Sequence, residues 1–285
     1  MKLIDRDNLF GEPVKGALER ILAGAVKGKK REDSARQSTP TPAINISDPS
    51  RYIILPGRKH GSYEYPDFLA SMHRLSYDSD VEKAAKQLDF EAANTASEQD
   101  GTQYIGNINW EKALKLNAQL GNATLTLRQF IDFKELLEAG IDNKSKVYNG
   151  AGKELSASDI HPIYNEIFEV REPWRSESLD ASFKDEGNGL LIMYNHLLKN
   201  GNLAPDKKEA LESHAAQDSW IDAKSFNNQG LPTKKSKAQK LYYWAPMDGR
   251  VAGFGADSGW AFLYCYGGPS YADASLGVRA ARAKN

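Results

Sequence analysis

Apolar positions recur along this chain with two periods, one near 3.6 and one of two, and each predicts an element. Residues 12–28 place Val14, Leu18, Ile21, Leu22 and Val26 near helical spacing, which predicts a short N-terminal packing helix. Residues 27–42 are charged and rich in Ser, Thr and Pro, and read as a flexible linker. Together residues 1–45 form an N-terminal unit, and residues 46–285 form the main domain. Within it, Arg51 to Pro56 reads as a buried strand stopped by proline. Asp67 to Leu75 fits a strand or short helix continuing that core, and Asp80 to Ala96 is helical in composition. Ile108 to Asn117 predicts a helix capped at Asn109 and closed at Gly121. Thr126 to Leu137 predicts a second, capped by Thr126 and ended at Gly140. Residues 147–154 read as a strand running into a turn, and the stretch after Ser156 opens a third helix. Arg171 to Phe183 has the extended, aromatic look of an insert covering the core. Gly189 to His196 reads as a core strand, Lys208 to Glu212 as helical, and Trp220 to Pro232 as loop.

The clearest pattern is the last. Ala252, Phe254 and Ala256 alternate with Gly253, Gly255 and Asp257; Ala261, Leu263 and Cys265 alternate with Trp260, Phe262, Tyr264 and Tyr266. Such alternation predicts two half-buried strands, about 250–257 and 260–266, joined by a turn at Asp257-Ser258-Gly259. One face is small and apolar and suits a core. The other carries the aromatics, and an exposed aromatic patch of that size marks a binding surface. The opposite assignment, aromatics inward and alanines in solvent, uses the same alternation. A turn-rich segment, Gly267-Gly268-Pro269-Ser270-Tyr271, follows, and then Ser275-Leu276-Gly277-Val278-Arg279.

Residues 250–279 resemble the variable region of diversity-generating retroelement variable proteins of the archaeal type, and the Leu276-Gly277-Val278-Arg279 ending resembles the last strand of that superfamily. The resemblance is most specific over residues 241–282 and looser over about 46–240. It implies an α+β, C-type lectin-like fold, related to that of formylglycine-generating enzymes, with small antiparallel sheets, two main helices and long irregular inserts. It implies a fixed framework of Ala252, Phe254, Ala256, Ser258, Ala261, Leu263, Cys265, Pro269 and Ser270. The variable, ligand-binding set would then be Gly253, Gly255, Asp257, Gly259, Trp260, Phe262, Tyr264, Tyr266, Gly267, Gly268, Tyr271, Ala272 and Asp273. The ligand implied is a protein or a cell-surface group, bound without catalysis. The alternatives are an oxidase of the formylglycine-generating type with altered chemistry, and a phage tail or adhesin module of fixed specificity.

Composition narrows this further. The chain is 40% hydrophobic and 26% charged with a net charge of −1, which makes no bulk electrostatic case for nucleic acid. No apolar run reaches the roughly 18 residues of a membrane span, and the charges in the first ten residues do not suit a signal peptide. The single Cys265 lacks the partner that a formylglycine-generating oxidase or a disulfide requires. His60, His73, His161, His196 and His214 are scattered, with no metal-ligand spacing, so neither a metal nor a cofactor is expected. The calcium motifs of sugar-binding C-type lectins are missing from the sequence, as are Walker, GxGxxG and GxSxG motifs. No catalytic residue is assigned.

Overall fold

The computed structural model describes residues 12–13, 48–90, 93–97, 103–172, 174–216 and 218–284. In chain order its strands are β1 (Glu12–Pro13), β2 (Tyr52–Leu55), β3 (Arg58–His60), β4 (Tyr63–Tyr65) and β5 (Phe68–Arg74). Helix α1 (Ser79–Gln87) leads to β6 (Ala93–Ser97) and β7 (Gln103–Gly106). Helices α2 (Trp110–Gln119) and α3 (Leu127–Ile141) follow, then β8 (Val147–Tyr148), β9 (Glu154–Leu155) and α4 (Ala157–Phe168). The remainder is strand: β10 (Arg175–Asp185), β11 (Leu190–Lys199), β12 (Asn202–Ala210), β13 (Ser219–Trp220), β14 (Leu241–Trp244), β15 (Val251–Ala256), β16 (Ala261–Gly267) and β17 (Leu276–Ala283). Mixed helix and antiparallel-rich sheet make this an α+β structure.

The helices begin where side chains satisfy their first free N–H groups. Asp78 caps α1, Asn109 caps α2, and Thr126 with Gln129 forms a capping box at α3. Ser156 with Asp159 does the same for α4. Helix α3 runs through Gly140 to Ile141 and is capped by Asp142, one residue later than the glycine signal suggests.

The main sheet runs β13-β14-β16-β15-β10-β17-β5-β2, with the β11–β12 hairpin branching from the far half of β10. Helices α3 and α4 cover one face. Phe130, Phe133, Leu137, Ile163 and Phe168 meet Phe254, Leu263 and Cys265 there in the largest apolar cluster. On the other face, α1 and α2 pack over Val278 and Ile105. Helix α2 reaches further only through Trp110 and Leu114, which meet Val251 and Leu203. The aromatic side chains of β16 lie on the β14–β16–β15 part of that face, where Trp110 of α2 is beside Val251 of β15.

Several expected elements differ. The helix expected over 80–96 stops at Gln87, and residues 93–97 form a strand paired with β7. Residues 171–183 do not cover the core: β10 is the middle strand of the sheet. Its polar residues Arg175, Glu177 and Asp180 are buried in ion pairs and hydrogen bonds, which hides the strand period. The helix expected at 208–212 is the end of β12, an exposed strand of Lys and Glu on a hairpin. Residues 67–75 resolve as strand β5. The N-terminal helix over 12–28 and the linker lie outside the described residues, except Glu12–Pro13, which pair with β3.

Candidate functional site

The two alternating strands exist as β15 and β16, antiparallel, with Phe254 opposite Leu263 and Gly255 opposite Phe262. Their small face points into the core: Ala252, Phe254, Ala256, Ala261, Leu263 and Cys265 are all buried. Burial pushes the Cys265 thiol well above its ordinary pKa, so the sulfur is a packed apolar group rather than a nucleophile. The turn between the strands is held by Asp257, whose Oδ1 accepts from the N–H groups of Gly259 (2.7 Å) and Trp260 (2.9 Å).

The opposite face is graded rather than uniformly exposed. Phe262 is buried at 8% exposure, Tyr264 is half-buried, and Trp260, Tyr266 and Tyr271 are exposed at 37%, 42% and 56%. The expectation that Phe262 lies at the surface is therefore corrected. Its ring lies over Gly255 and against Trp244 at 5.1 Å between centroids. Gly253 and Gly255 are also buried rather than displayed. A Cβ on Gly253 would overlap the Tyr264 hydroxyl and sit 2.9 Å from the Glu177 carbonyl. A Cβ on Gly255 would sit 2.6 Å from the Phe262 ring and 3.0 Å from the Arg175 carbonyl. Neither glycine has positive φ, so space, not backbone conformation, demands glycine here. The two glycines form slots that seat the rings of their cross-strand neighbours.

Tyr264 is anchored at its tip. Its hydroxyl lies 3.0 Å from Ser176 Oγ, and Ser176 donates to the Phe254 carbonyl at 2.8 Å. Burial pushes its pKa up to about 12, so the phenol stays neutral. Gly259 and Ala272 are exposed, and Asp257, Gly267, Gly268 and Asp273 half-buried. Asp273 Oδ1 accepts from Ser275 N at 2.9 Å, fixing the turn into β17.

Strand β14 extends this face. It runs parallel to β16 with Tyr242 beside Phe262 and Trp244 beside Tyr264. Rings then run on without a break. Trp244 meets Tyr266 at 5.4 Å and Tyr242 at 4.9 Å; Tyr242 meets Trp220 at 5.1 Å; Trp220 meets Trp260 at 5.6 Å. These edge-to-face and tilted contacts hold the rings in fixed orientations. Above the β15–β16 end opens a groove of about 760 Å³. Phe262, Tyr264, Tyr266 and Tyr271 line it with Asp257, Gly267 and Gly268. Trp110 from α2, Trp174, Trp244, Glu172 and Arg250 contribute to the walls, with Ala252 and Ser258 of the framework set also at the lining.

No family model, curated protein or solved structure matches the chain.

Of the thirteen residues expected at the site, seven line the groove and Trp260 joins the aromatic row; Gly253 and Gly255 lie beneath it. Gly259, Ala272 and Asp273 do not line it. The sequence reading missed Trp110, Trp174 and Trp244, which come from distant segments. Only Trp244 had a local signal: in Leu241-Tyr242-Tyr243-Trp244, Leu241 and Tyr243 are buried and Tyr242 and Trp244 turn outward with period two. Among the described residues, no group of three or more His, Cys, Asp or Glu converges as a metal site would. No described helix is long and apolar enough to cross a membrane.

A second feature fixes the sheet beneath the site. Arg279, the arginine of the last motif, is 1% exposed. It meets Glu177 at 3.0 Å and Glu166 at 2.8 Å, and Glu166 also meets Arg74 at 3.1 Å. Burial opposes the Glu166 charge, but Arg279 and Arg74 outweigh it and hold its carboxyl below the usual range. The cluster ties β17, β10, β5 and α4 together.

Proposed function

We propose that this chain is a ligand-binding protein, the variable protein of an archaeal-type diversity-generating retroelement, built on a C-type lectin-like scaffold. Its binding surface is the aromatic groove, its ligand is a protein or cell-surface group, and holding that ligand requires no chemical step. One observation carries this reading: seven residues of the variable set, Asp257, Phe262, Tyr264, Tyr266, Gly267, Gly268 and Tyr271, converge on one groove, while the framework residues Phe254, Ala256, Ala261, Leu263 and Cys265 that alternate with them along the two strands are buried. Rings held by neighbouring rings lose little freedom on binding, which suits interface anchors. Diversification is compatible with folding only where substitutions are cheap. Surface changes usually stay within about 0.5 kcal/mol, whereas core truncations reach several.

The test is genetic. The locus is expected to hold a near-copy of the DNA encoding residues 251–279, differing mainly at adenines, beside a reverse transcriptase gene. A locus with neither would overturn the retroelement assignment and leave a binding module of fixed specificity.

A further inference from the structure

One step along β10 from the groove, three side chains stand in an arrangement that binding does not use. His196 Nδ1 lies 2.5 Å from Asp180 Oδ1, and the backbone N–H of His196 donates to Asp180 Oδ2 at 2.9 Å. His196 Nε2 lies 3.4 Å from Ser182 Oγ. Asp180 accepts only, so Nδ1 carries the proton and the Nε2 lone pair is turned to the serine. This is nucleophile, base and orienting carboxylate in the order of a hydrolytic triad, with the serine contact as loose as such contacts are before substrate binds.

The backbone is shaped to produce it. Asp180 and Ser182 alternate on one face of β10. Ser178 pairs with Gly253 and Ser182 with Val251, so β10 bulges through Asp180. On the facing strand, Asn195 takes a left-handed φ of 53°. Tyr194 before it packs in the main core, while His196 after it meets the edge of Trp110 at 5.1 Å. The His196 and Asp180 side chains are each 5% exposed, whereas Ser182 is half-buried and reachable. Val251, the ladder partner of Ser182, and Trp110, the cover of His196, both line the groove. Arg250 also lines the groove, and its backbone carbonyl accepts from the N–H of Phe183, the residue after Ser182, at 2.8 Å.

We propose that Ser182, His196 and Asp180 form an esterase site at the end of the aromatic groove, for carboxylic esters carrying an aromatic group. Ser182 Oγ bonds to the acyl carbon as its proton passes to His196 Nε2. The ester C–O bond then breaks, and the leaving alcohol takes that proton. Water, deprotonated by His196, releases the acid and restores Ser182, so ester and water become acid and alcohol.

The full chain is treated with a fluorescent alkyl fluorophosphonate, which esterifies an activated serine with loss of fluoride, and the label is mapped by peptide mass spectrometry. Time-dependent labelling of Ser182 is expected. Ser182→Ala should abolish it, and His196→Gln and Asp180→Asn should slow it about 100-fold or more, with hydrolysis of 4-nitrophenyl butyrate falling in parallel. Melting curves show which variants fold, and Asp180→Asn keeps the shape if His196→Gln does not. An unlabelled Ser182 in the native chain overturns the proposal. So does labelling whose rate is unchanged in a folded His196 or Asp180 variant. Neither result bears on the locus test above.

Discussion

Tyr266 and Phe254 show how differently two aromatic residues in adjacent strands behave. Tyr266 is 42% exposed and Phe254 is 1% exposed, packed between Phe130 and Phe168. Tyr266→Ser and Tyr271→Ser should each change stability by about 0.5 kcal/mol or less. Phe254→Ala and Leu263→Ala should each cost roughly 2–5 kcal/mol through loss of burial and cavity formation. Urea unfolding of the four variants checks this, and equal losses would make the exposed tyrosines structural. Glu135 gives a residue-scale pH effect. Burial raises its pKa to about 7 against the nearby Arg128, which lowers it. An acid whose folded pKa is raised contributes stability that is fully present below its unfolded value, near 4.5, and is lost as pH rises through about 7. Relative to the parent, Glu135→Gln should therefore melt progressively higher as pH rises from 4.5 to about 7. A melting difference that is constant over this interval would contradict the assignment.

At the scale of elements, β15 and β16 are coupled through their glycine slots. Gly253→Ala should destabilise the parent because its Cβ overlaps Tyr264. Against a Tyr264→Ser background the same change should cost less, although the Glu177 carbonyl at 2.9 Å keeps some of the penalty. A double-mutant cycle measures the coupling; additive losses would mean that the slot and the ring are independent. These two strands were legible in the sequence because each sends apolar residues to one side only. So were α2, α3 and α4, whose caps are Asn, Thr and Ser. Strand β10 was not legible. Its inward positions include Arg175 and Glu177, and a buried ion pair has the same letters as a solvated one. Strand β12 was misread because Lys and Glu on an exposed hairpin favour helix locally, and pairing with β11 overrides that preference. The groove was half legible. Its β16 wall follows from alternation, whereas Trp110 and Trp174 reach it only through the tertiary arrangement.

At the scale of the molecule, the buried cluster around Arg279 joins elements far apart in the chain. Arg279→Met should cost about 3–5 kcal/mol, since Glu177 and Glu166 would lose a shared partner in a water-poor site. Denaturant unfolding measures it, and a loss below about 1 kcal/mol would mean that the cluster behaves like a surface pair. Strand β17 itself lies between β10 and β5, with Leu276 beside Ser176 and Arg279 beside Arg74. During synthesis, β5 and β10 leave the ribosome well before β17 exists, and until it emerges each has an open edge. The sheet can join its halves only by closing a loop of about two hundred residues (Arg74 to Arg279), a slow step for a nascent chain. A translation product released before residue 276 would keep both edges bare, the condition in which strands pair with neighbouring chains instead. Strands β15 and β16 lie immediately upstream of that closing strand, so a frameshift introduced there would yield aggregation-prone chains for the cell to clear rather than a folded chain with a damaged groove.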